Sequence, residues 1–270
     1  MPSPRRIKTK KHYHILIIIF LVLTAIFFLY REFGKEIFQP KIPGKTQPAE
    51  KHKVLPRVVI VIDDLGPNKQ AAASVFDINT PLTLSVMPHQ THTGWITEEG
   101  HRRGYAIIGH IPMEAKEPHT LGSGGLYTWM TEDEIRETLE GDFISIHYAR
   151  GISNHMGSAF TEDARAVRIL LSVLKEHGFF FLDSLTTSKS AGARLAKEQG
   201  VKALKRDVFL DYNDTPGEIE AEWEKLTAIA QKNGYAIALA HPGKNTIDFL
   251  RKTLPSNKVT VVPISELAGD

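Results

Sequence analysis

Cysteine is absent from the 270-residue sequence. Its absence excludes disulfides and thiolate metal ligands, so any bound metal must use histidine, aspartate or glutamate. The G-x-x-x-x-G-K-[ST] phosphate loop and the G-x-G-x-x-G fingerprint are missing as well, which argues against a nucleotide cofactor. Net charge is only +2, and basic residues crowd the first dozen positions. We therefore expect no nucleic-acid surface on the folded part of the chain.

One long hydrophobic run is present near the N-terminus, from Ile15 to Tyr30. Its length is close to the roughly 20 residues of a membrane-spanning helix, and Tyr13 and His14 can extend it. Basic residues precede the run, and no small-x-small cleavage site follows it, so an anchor is favoured over a cleaved signal peptide. Because basic flanks stay in the cytoplasm, the residues after the run are expected on the outer side.

The region after the hydrophobic run is rich in proline and lysine and has no apolar periodicity, which is typical of a linker. The expected organisation is a bacterial inner-membrane protein with a single transmembrane segment and a periplasmic domain. Its parts are a basic cytoplasmic N-terminus over residues 1–12, an anchor over 13–30, a linker over 31–56 and a folded domain over 57–270.

The stretch from Val58 to Ile62 consists of five β-branched residues and is followed directly by Asp63 and Asp64. Such a run predicts a strand that is buried on both faces, as in a parallel sheet covered by helices. An acid pair at the carboxyl end of a buried strand is typical of α/β enzymes, whose ligands bind beyond that end. The alternative is that Asp64 caps the helix expected to begin near Pro67.

Short apolar runs alternate with amphipathic segments through the rest of the chain, which predicts βα units and a mostly parallel sheet. About seven such units predict an α/β fold, a closed or nearly closed barrel somewhat smaller than an eight-fold one. Polar residues follow several of the predicted strands, and the rim of such a barrel would bring them together. They are Asp63, Asp64, His110, Asn154, His155, Asp183 and His241.

A single histidine after a strand is usually a loop residue or a satisfied core residue, but several such strand ends predict a shared site. Histidine and carboxylate without cysteine suit a divalent metal, preferably zinc, with an open position for water. Metal polarises a carbonyl and lowers the pKa of water, which helps to hydrolyse an amide or ester. One aspartate can then bind metal, the other can act as base, and His241 can act as acid.

Six motifs follow one another along the chain. They are Ile62-Asp-Asp-Leu-Gly66, His110-Ile-Pro-Met-Glu114, Asn154-His-Met-Gly-Ser158, Phe181-Leu-Asp-Ser184, Arg206-Asp-Val-Phe-Leu-Asp211 and His241-Pro242. In order and spacing these motifs are similar to those of the divergent polysaccharide deacetylase family, and the resemblance covers about residues 57–267. It implies an irregular (β/α) barrel and a divalent-metal enzyme that removes N- or O-acetyl groups from envelope sugars.

The resemblance implies that Asp63 is the general base, that Asp64 and His110 bind the metal, and that His241 protonates the leaving group. The ordinary family pattern has its third metal ligand, a histidine, four residues after the second, where this chain has Glu114. Either Glu114 or His155 can supply this ligand, and His155 is preferred.

Three further residues of the motifs are candidates for supporting roles. Asp183, or the pair Arg206 and Asp207, is expected to orient the catalytic groups. For Arg206 and Asp207 a purely structural ion pair is the alternative.

Two functions remain. The first is a membrane-anchored deacetylase that acts on an envelope polysaccharide. The second is a non-catalytic domain that keeps the barrel and binds a glycan or an envelope protein. Retention of both Asp63 and His241 favours the enzyme, since a binding domain needs neither. A phosphoesterase is disfavoured because the predicted rim lacks a cluster of arginine or lysine for phosphate.

Overall fold

The computed structural model describes residues 9–37, 55–256 and 259–269. The chain divides into two compact units, residues 1–53 and residues 54–270.

The described part of the first unit is one helix, α1 (Thr9–Ile37). Its segment Tyr13–Phe33 has a mean hydropathy of 2.5 and is long and apolar enough to cross a membrane, although a signal sequence would meet the same criteria. At 1.5 Å per residue this segment spans about 31 Å, close to the thickness of a bilayer core. The helix continues past Tyr30, where the predicted anchor ends. Residues 1–8 of the predicted N-terminus and residues 38–54 of the predicted linker lie outside the described residues.

The second unit is built on a parallel sheet with the order β6-β5-β4-β3-β2-β1-β8-β7, and β9 pairs with β1 beside β2. The strands are β1 (Arg57–Leu65), β2 (Thr83–Val86), β3 (Ala106–Met113), β4 (Gly151–Met156), β5 (Phe180–Asp183), β6 (Ala203–Lys205), β7 (Val208–Phe209), β8 (Tyr235–Ala240) and β9 (Thr260–Val261). The helices are α2 (Lys69–Phe76), α3 (Thr93–Arg102), α4 (Glu132–Ser145), α5 (Ala164–His177), α6 (Gly192–Gln199), α7 (Pro216–Asn233), α8 (Lys244–Thr253) and α9 (Ser265–Ala268), with 3₁₀ turns at Phe160–Glu162 and Leu254–Ser256.

The curled sheet is a half-barrel, and the predicted α/β barrel fold is confirmed. Among the described residues no strand pairing joins β6 to β7, so the sheet stays open between these two edges. The described strands number nine rather than about seven, because β6, β7 and β9 contain only two or three residues each. Of these short strands, β6 and β7 form the two edges of the sheet and β9 pairs only with β1 among the described strands.

Strand β1 is buried on both faces, as its run of β-branched residues predicts. Ile60 and Ile62 pack into the apolar cluster that includes the surrounding helices, whereas Val59 and Val61 pack into a second cluster. The second cluster is built mainly from the inward residues of several strands and is covered by residues around α9. Because side chains alternate along a strand, Asp63 continues the row of Val59 and Val61 into the concave side of the sheet.

Two helix starts test predictions made from the sequence. The Asn68 side chain accepts hydrogen bonds from the N–H groups of Gln70 and Ala71 and so caps α2. The alternative role of Asp64 as the cap of this helix is therefore wrong. At the start of α4, Thr131 and Glu134 form the predicted capping box.

Candidate active site

A β-bulge at the end of β1 brings the two adjacent aspartates to one side of the sheet. Neighbouring residues of a regular strand point to opposite faces. Here the register with β2 shifts between Ile62 and Leu65, and Asp64 has a φ of 57°. A non-glycine residue in this conformation costs on the order of 1–3 kcal/mol and is typical of functional sites. The bulge turns Asp64 towards His110, which Asp63 also approaches.

Two histidines on neighbouring strands face the aspartates. His110 lies inside β3 and His155 inside β4, rather than directly after these strands as predicted, because both strands continue beyond the apolar core of their sequences. Parallel pairing of β3 with β4 places His110 opposite Ser153, two residues before His155. Since residues two apart share a face, both imidazoles point to the same side of the sheet.

The Asp64, His110 and His155 side chains form a group whose ligand atoms all lie within 4.8 Å of one another. Oδ1 of Asp64 is 3.1 Å from Nε2 of His110 and 2.8 Å from Nδ1 of His155. The same two nitrogens are 3.3 Å apart. Three possible metal ligands from β1, β3 and β4 therefore converge on one point, although β2 lies between β1 and β3 in the sheet.

The chemistry of this group fits a divalent cation. Oδ1 of Asp64 is buried and accepts no hydrogen bond of acceptable geometry, despite the two imidazole nitrogens beside it. A carboxylate oxygen that lies close to two ring nitrogens without accepting a hydrogen bond from either is placed to share a third partner with them. Two imidazoles and one carboxylate, with the remaining position open, are a donor set that zinc accepts.

Electrostatics at the group favour positive charge. Burial raises the pKa of the Asp64 carboxyl, but the neighbouring His110 and His155 outweigh burial and hold the pKa well below its ordinary value. Burial lowers the pKa of His110, but the carboxylates of Asp63 and Asp64 outweigh it and the net shift is upward. The Asp64 carboxylate thus stays ionised and attracts a cation.

Asp63 lies beneath the group and is almost fully buried. Its Oδ1 is 3.5 Å from Nδ1 of His110, and Oδ1 is a second buried atom without a hydrogen bond. Burial raises the pKa of Asp63, partly offset by His110 and by a hydrogen bond from Ser85. Nδ1 of His110 also lies 2.7 Å from Oγ of Ser153, which fixes the orientation of the ring. A carboxylate with a raised pKa is suited to accept a proton.

His241 follows β8 and lies on the other side of Asp64, with its Nε2 3.5 Å from Oδ2 of that residue. Asp211 binds it twice, because one carboxylate oxygen accepts the backbone N–H at 2.7 Å and the other lies 3.2 Å from Nδ1 of the ring. Burial lowers the pKa of His241, but hydrogen bonding and attraction to Asp211 outweigh burial and raise it to about 9. The imidazole is therefore protonated at neutral pH.

Among the described residues, the three predicted orienting residues form hydrogen bonds with neighbouring loops and strands and not with His241 or the three possible metal ligands. Asp183 accepts hydrogen bonds from the N–H of Leu185 and from Ser190. Arg206 donates to the carbonyls of Ser184 and Leu185, and Asp207 accepts from the N–H of Ile237 in β8. Within the described residues Arg206 and Asp207 form no ion pair with each other, because each is occupied by backbone.

Glu114 is placed away from the group of three donors. Its Oε2 accepts hydrogen bonds from both the N–H and the hydroxyl of Thr128, each at 2.6 Å. Within the part of the chain that the structure describes, the group with ligand atoms in reach of one another contains His155 rather than Glu114.

Asp211 is the residue that the sequence-based selection of site residues omits. It directly follows the apolar run Val208-Phe-Leu210, so the signal used for Asp63, Asp183 and His241 applied to it as well. Ser153 and Ser85 carry no such signal. Their hydroxyls are 2.9 Å apart and face the inside of the sheet, which only the pairing of strands reveals.

Comparisons with known proteins agree with the motifs. The family model described as "Divergent polysaccharide deacetylase" matches residues 60–268. An uncharacterized protein of Haemophilus influenzae Rd is 32% identical over 198 residues, covering 73% of this chain and 71% of its own. The uncharacterized protein YibQ of Escherichia coli K12 is 30% identical over 217 residues, covering 79% of this chain and 68% of its own.

A solved structure shares the fold. The crystal structure of an uncharacterized protein from Agrobacterium tumefaciens C58 superposes with a TM-score of 0.75 at 22% identity, covering 80% of this chain and 90% of the other.

Proposed function

This chain belongs to the divergent polysaccharide deacetylase family, and we propose that it is a membrane-anchored, metal-dependent hydrolase that removes acetyl groups from a cell-envelope polysaccharide. The observation that carries the proposal is the arrangement around Asp64. Three side chains that can bind a metal ion converge there. The buried carboxylate of Asp63 lies beside them, and the imidazole of His241 lies on another side.

The proposed metal ligands are Asp64, His110 and His155, and the proposed ion is zinc. A divalent cation held by these residues would polarise the acetyl carbonyl and would lower the pKa of a water molecule. Hydrogen bonding of His110 to Ser153 keeps the Nε2 atom of this ring directed towards Asp64. Such support of a ligand is typical of metal centres.

Asp63 is the proposed general base. Its carboxylate accepts the proton of the attacking water while the oxygen of that water bonds to the acetyl carbon. The raised pKa of Asp63 makes the carboxylate a stronger base than an exposed aspartate. Its position next to His110 keeps it beside the ligands without making it one of them.

His241 is the proposed general acid. Its Nε2 faces the Asp64 side of the site and delivers a proton to the leaving nitrogen or oxygen as the bond to the acetyl carbon breaks. Acetate and a free amino or hydroxyl group of the sugar are the products. Asp211 is a positioning residue that fixes the ring and keeps it protonated.

The proposed membrane anchor is α1. Its apolar segment is long enough to span a bilayer, and the basic residues that precede it are expected to remain in the cytoplasm. We propose that the second unit lies in the periplasm, where an envelope polysaccharide is accessible.

Acetate release tests the function. The full chain, purified in detergent and loaded with zinc, is incubated with acetylated glucosamine oligomers and peptidoglycan fragments. We expect acetate to form with zinc and to stop after removal of the metal by a chelator. An Asp133→Asn variant, altered at an exposed aspartate of α4, is the control and should retain activity. A domain that binds these glycans but releases no acetate from any of them would be a binding module instead.

A further inference from the structure

Glu114 holds a loop beside the site. The bonds from Thr128 occupy its carboxylate, and they come from a main-chain and a side-chain donor of the same residue. Hydrogen bonds to a charged acceptor are about twice as strong as neutral ones. The loop at Thr128 is therefore fixed to the end of β3, the strand that carries His110.

The same loop is attached to its surroundings at two further points. The backbone of Leu126 continues the pairing of β3, because its N–H donates to Pro112 and its carbonyl accepts from Glu114. On the other side Arg165 of α5 donates to the carbonyls of Thr128 and Met130. Residues 126–130 are thus held from both sides in one conformation.

This fixed loop presents two aromatic rings. Tyr127 and Trp129 are stacked, with their ring centroids 5.3 Å apart and their planes 23° apart. The Trp129 side chain is 68% exposed, although the adjacent Met130 packs against the core. Burying an exposed aromatic surface of this size against a ligand would stabilise the complex, because it removes apolar surface from water.

We propose that Tyr127 and Trp129 form a docking platform for a sugar ring of the polysaccharide and that Glu114 is the residue that positions it. The inference rests on the proposed function, since it takes the same glycan as ligand. The faces of a pyranose carry C–H groups with partial positive charge, which complement the negative face of an aromatic ring. Rigid aromatic side chains also bind with a small loss of conformational entropy.

The position of the platform selects which sugar it binds. Glu114 directly follows Met113, the last residue of β3, and lies four residues beyond His110. Four residues correspond to about 13 Å along an extended chain, which is longer than one sugar ring. We therefore place the loop that Glu114 holds against another unit of the polysaccharide and not against the unit that loses its acetyl group. Longer oligomers should consequently bind more tightly than a single acetylated sugar.

Binding of the N-acetylglucosamine pentamer and monomer to the zinc-loaded full chain in lipid nanodiscs tests the platform by calorimetry. We expect Trp129→Ala to weaken pentamer binding by about tenfold, the size typical of losing an anchoring aromatic residue. Trp129→Phe should weaken it less, and neither variant should change monomer binding or zinc content. Glu114→Ala should weaken pentamer binding and keep zinc. Tyr235→Ala, altered at an exposed aromatic residue at the start of β8, is the matched control.

Equal pentamer affinity in the parent and Trp129→Ala, or no affinity in the parent, would overturn the platform. Loss of zinc in Glu114→Ala would make this residue a ligand and overturn its positioning role. Brominated phospholipid in the nanodisc quenches the fluorescence of a tryptophan that contacts lipid. Quenching that is present in the parent and absent in Trp129→Phe would assign the two rings to the membrane surface and overturn the platform. Weaker pentamer binding by Trp129→Ala in a protein that releases no acetate would support the platform and refute only the proposed catalysis.

Discussion

Asp211 binds His241 at two places, through the backbone N–H at 2.7 Å and through the ring nitrogen Nδ1 at 3.2 Å. Thr246 donates a further hydrogen bond to the same carboxylate at 2.8 Å, so Asp211 is itself fixed. One buried carboxylate thereby sets both the orientation and the charge of an imidazole at the edge of the site. The pH dependence of the reaction should report this pairing.

Replacement of Asp211 should move the alkaline limb of the pH profile. The pKa of His241 is raised to about 9, so a reaction that needs its proton loses rate as pH rises through about 9. In Asp211→Asn the attraction that favours the proton is reduced, and this limb should move to lower pH, towards the roughly 6.5 of an ordinary histidine. The measurement is kcat/KM for acetate release between pH 5 and pH 10.

The control for that profile is Asp133→Asn, which should keep the alkaline limb of the parent. An alkaline limb that stays in place in Asp211→Asn would mean that another group supplies the proton.

Removal of a metal ligand should abolish metal binding and leave the fold intact. We expect Asp64→Ala, His110→Ala and His155→Ala to lose zinc, because each removes one of three donors that converge on one point. Glu114→Ala should keep zinc, since its carboxylate is bound to Thr128. The zinc content of each purified variant is the measurement, and circular dichroism verifies that the variant is folded. Full zinc content in both Asp64→Ala and His110→Ala would place the metal elsewhere.

Substitution of the proposed catalytic residues should reduce turnover without reducing metal binding. Asp63→Asn should abolish acetate release with nearly unchanged zinc, because the amide cannot accept the proton of water. His241→Ala should be slower by about 10²- to 10⁴-fold, the usual contribution of a general acid. Since burial raises the pKa of Asp63, the acid limb of the parent should lie above pH 3.8, the ordinary value of this group.

Single-turnover rates and zinc content of both catalytic variants, measured side by side with the parent, check these expectations. Undiminished acetate release by Asp63→Asn would remove this residue from the role of base.

The anchor should remain part of the mature protein. Mass spectrometry of protein extracted from membranes should detect residues 1–30, because no small-x-small site follows Tyr30. Protease added outside the inner membrane should digest the second unit and spare α1. Recovery of a soluble form that begins after residue 30 would show that the segment is a cleaved signal.

Much of the architecture could be predicted from local sequence, and the reason is burial. The run Val58–Ile62 has no polar residue, so only a strand covered on both faces accommodates it, and its interior position in the sheet follows. The capping box at Thr131 is equally local, since its two partners are three residues apart. Motif spacing along the chain also identified the family, as the match to residues 60–268 confirms.

Side-chain pairing could not be predicted in this way, because it depends on where distant strands bring their residues. Glu114 has the spacing of a ligand, yet a loop residue fourteen positions later occupies its carboxylate. Asp211 and His241 are thirty residues apart and meet only because β7 and β8 lie side by side. Local sequence therefore determined which strands are buried and which polar residues end near the rim. Tertiary structure decided their partners, since the bulge at Asp64 and the register of neighbouring strands set the direction of each side chain.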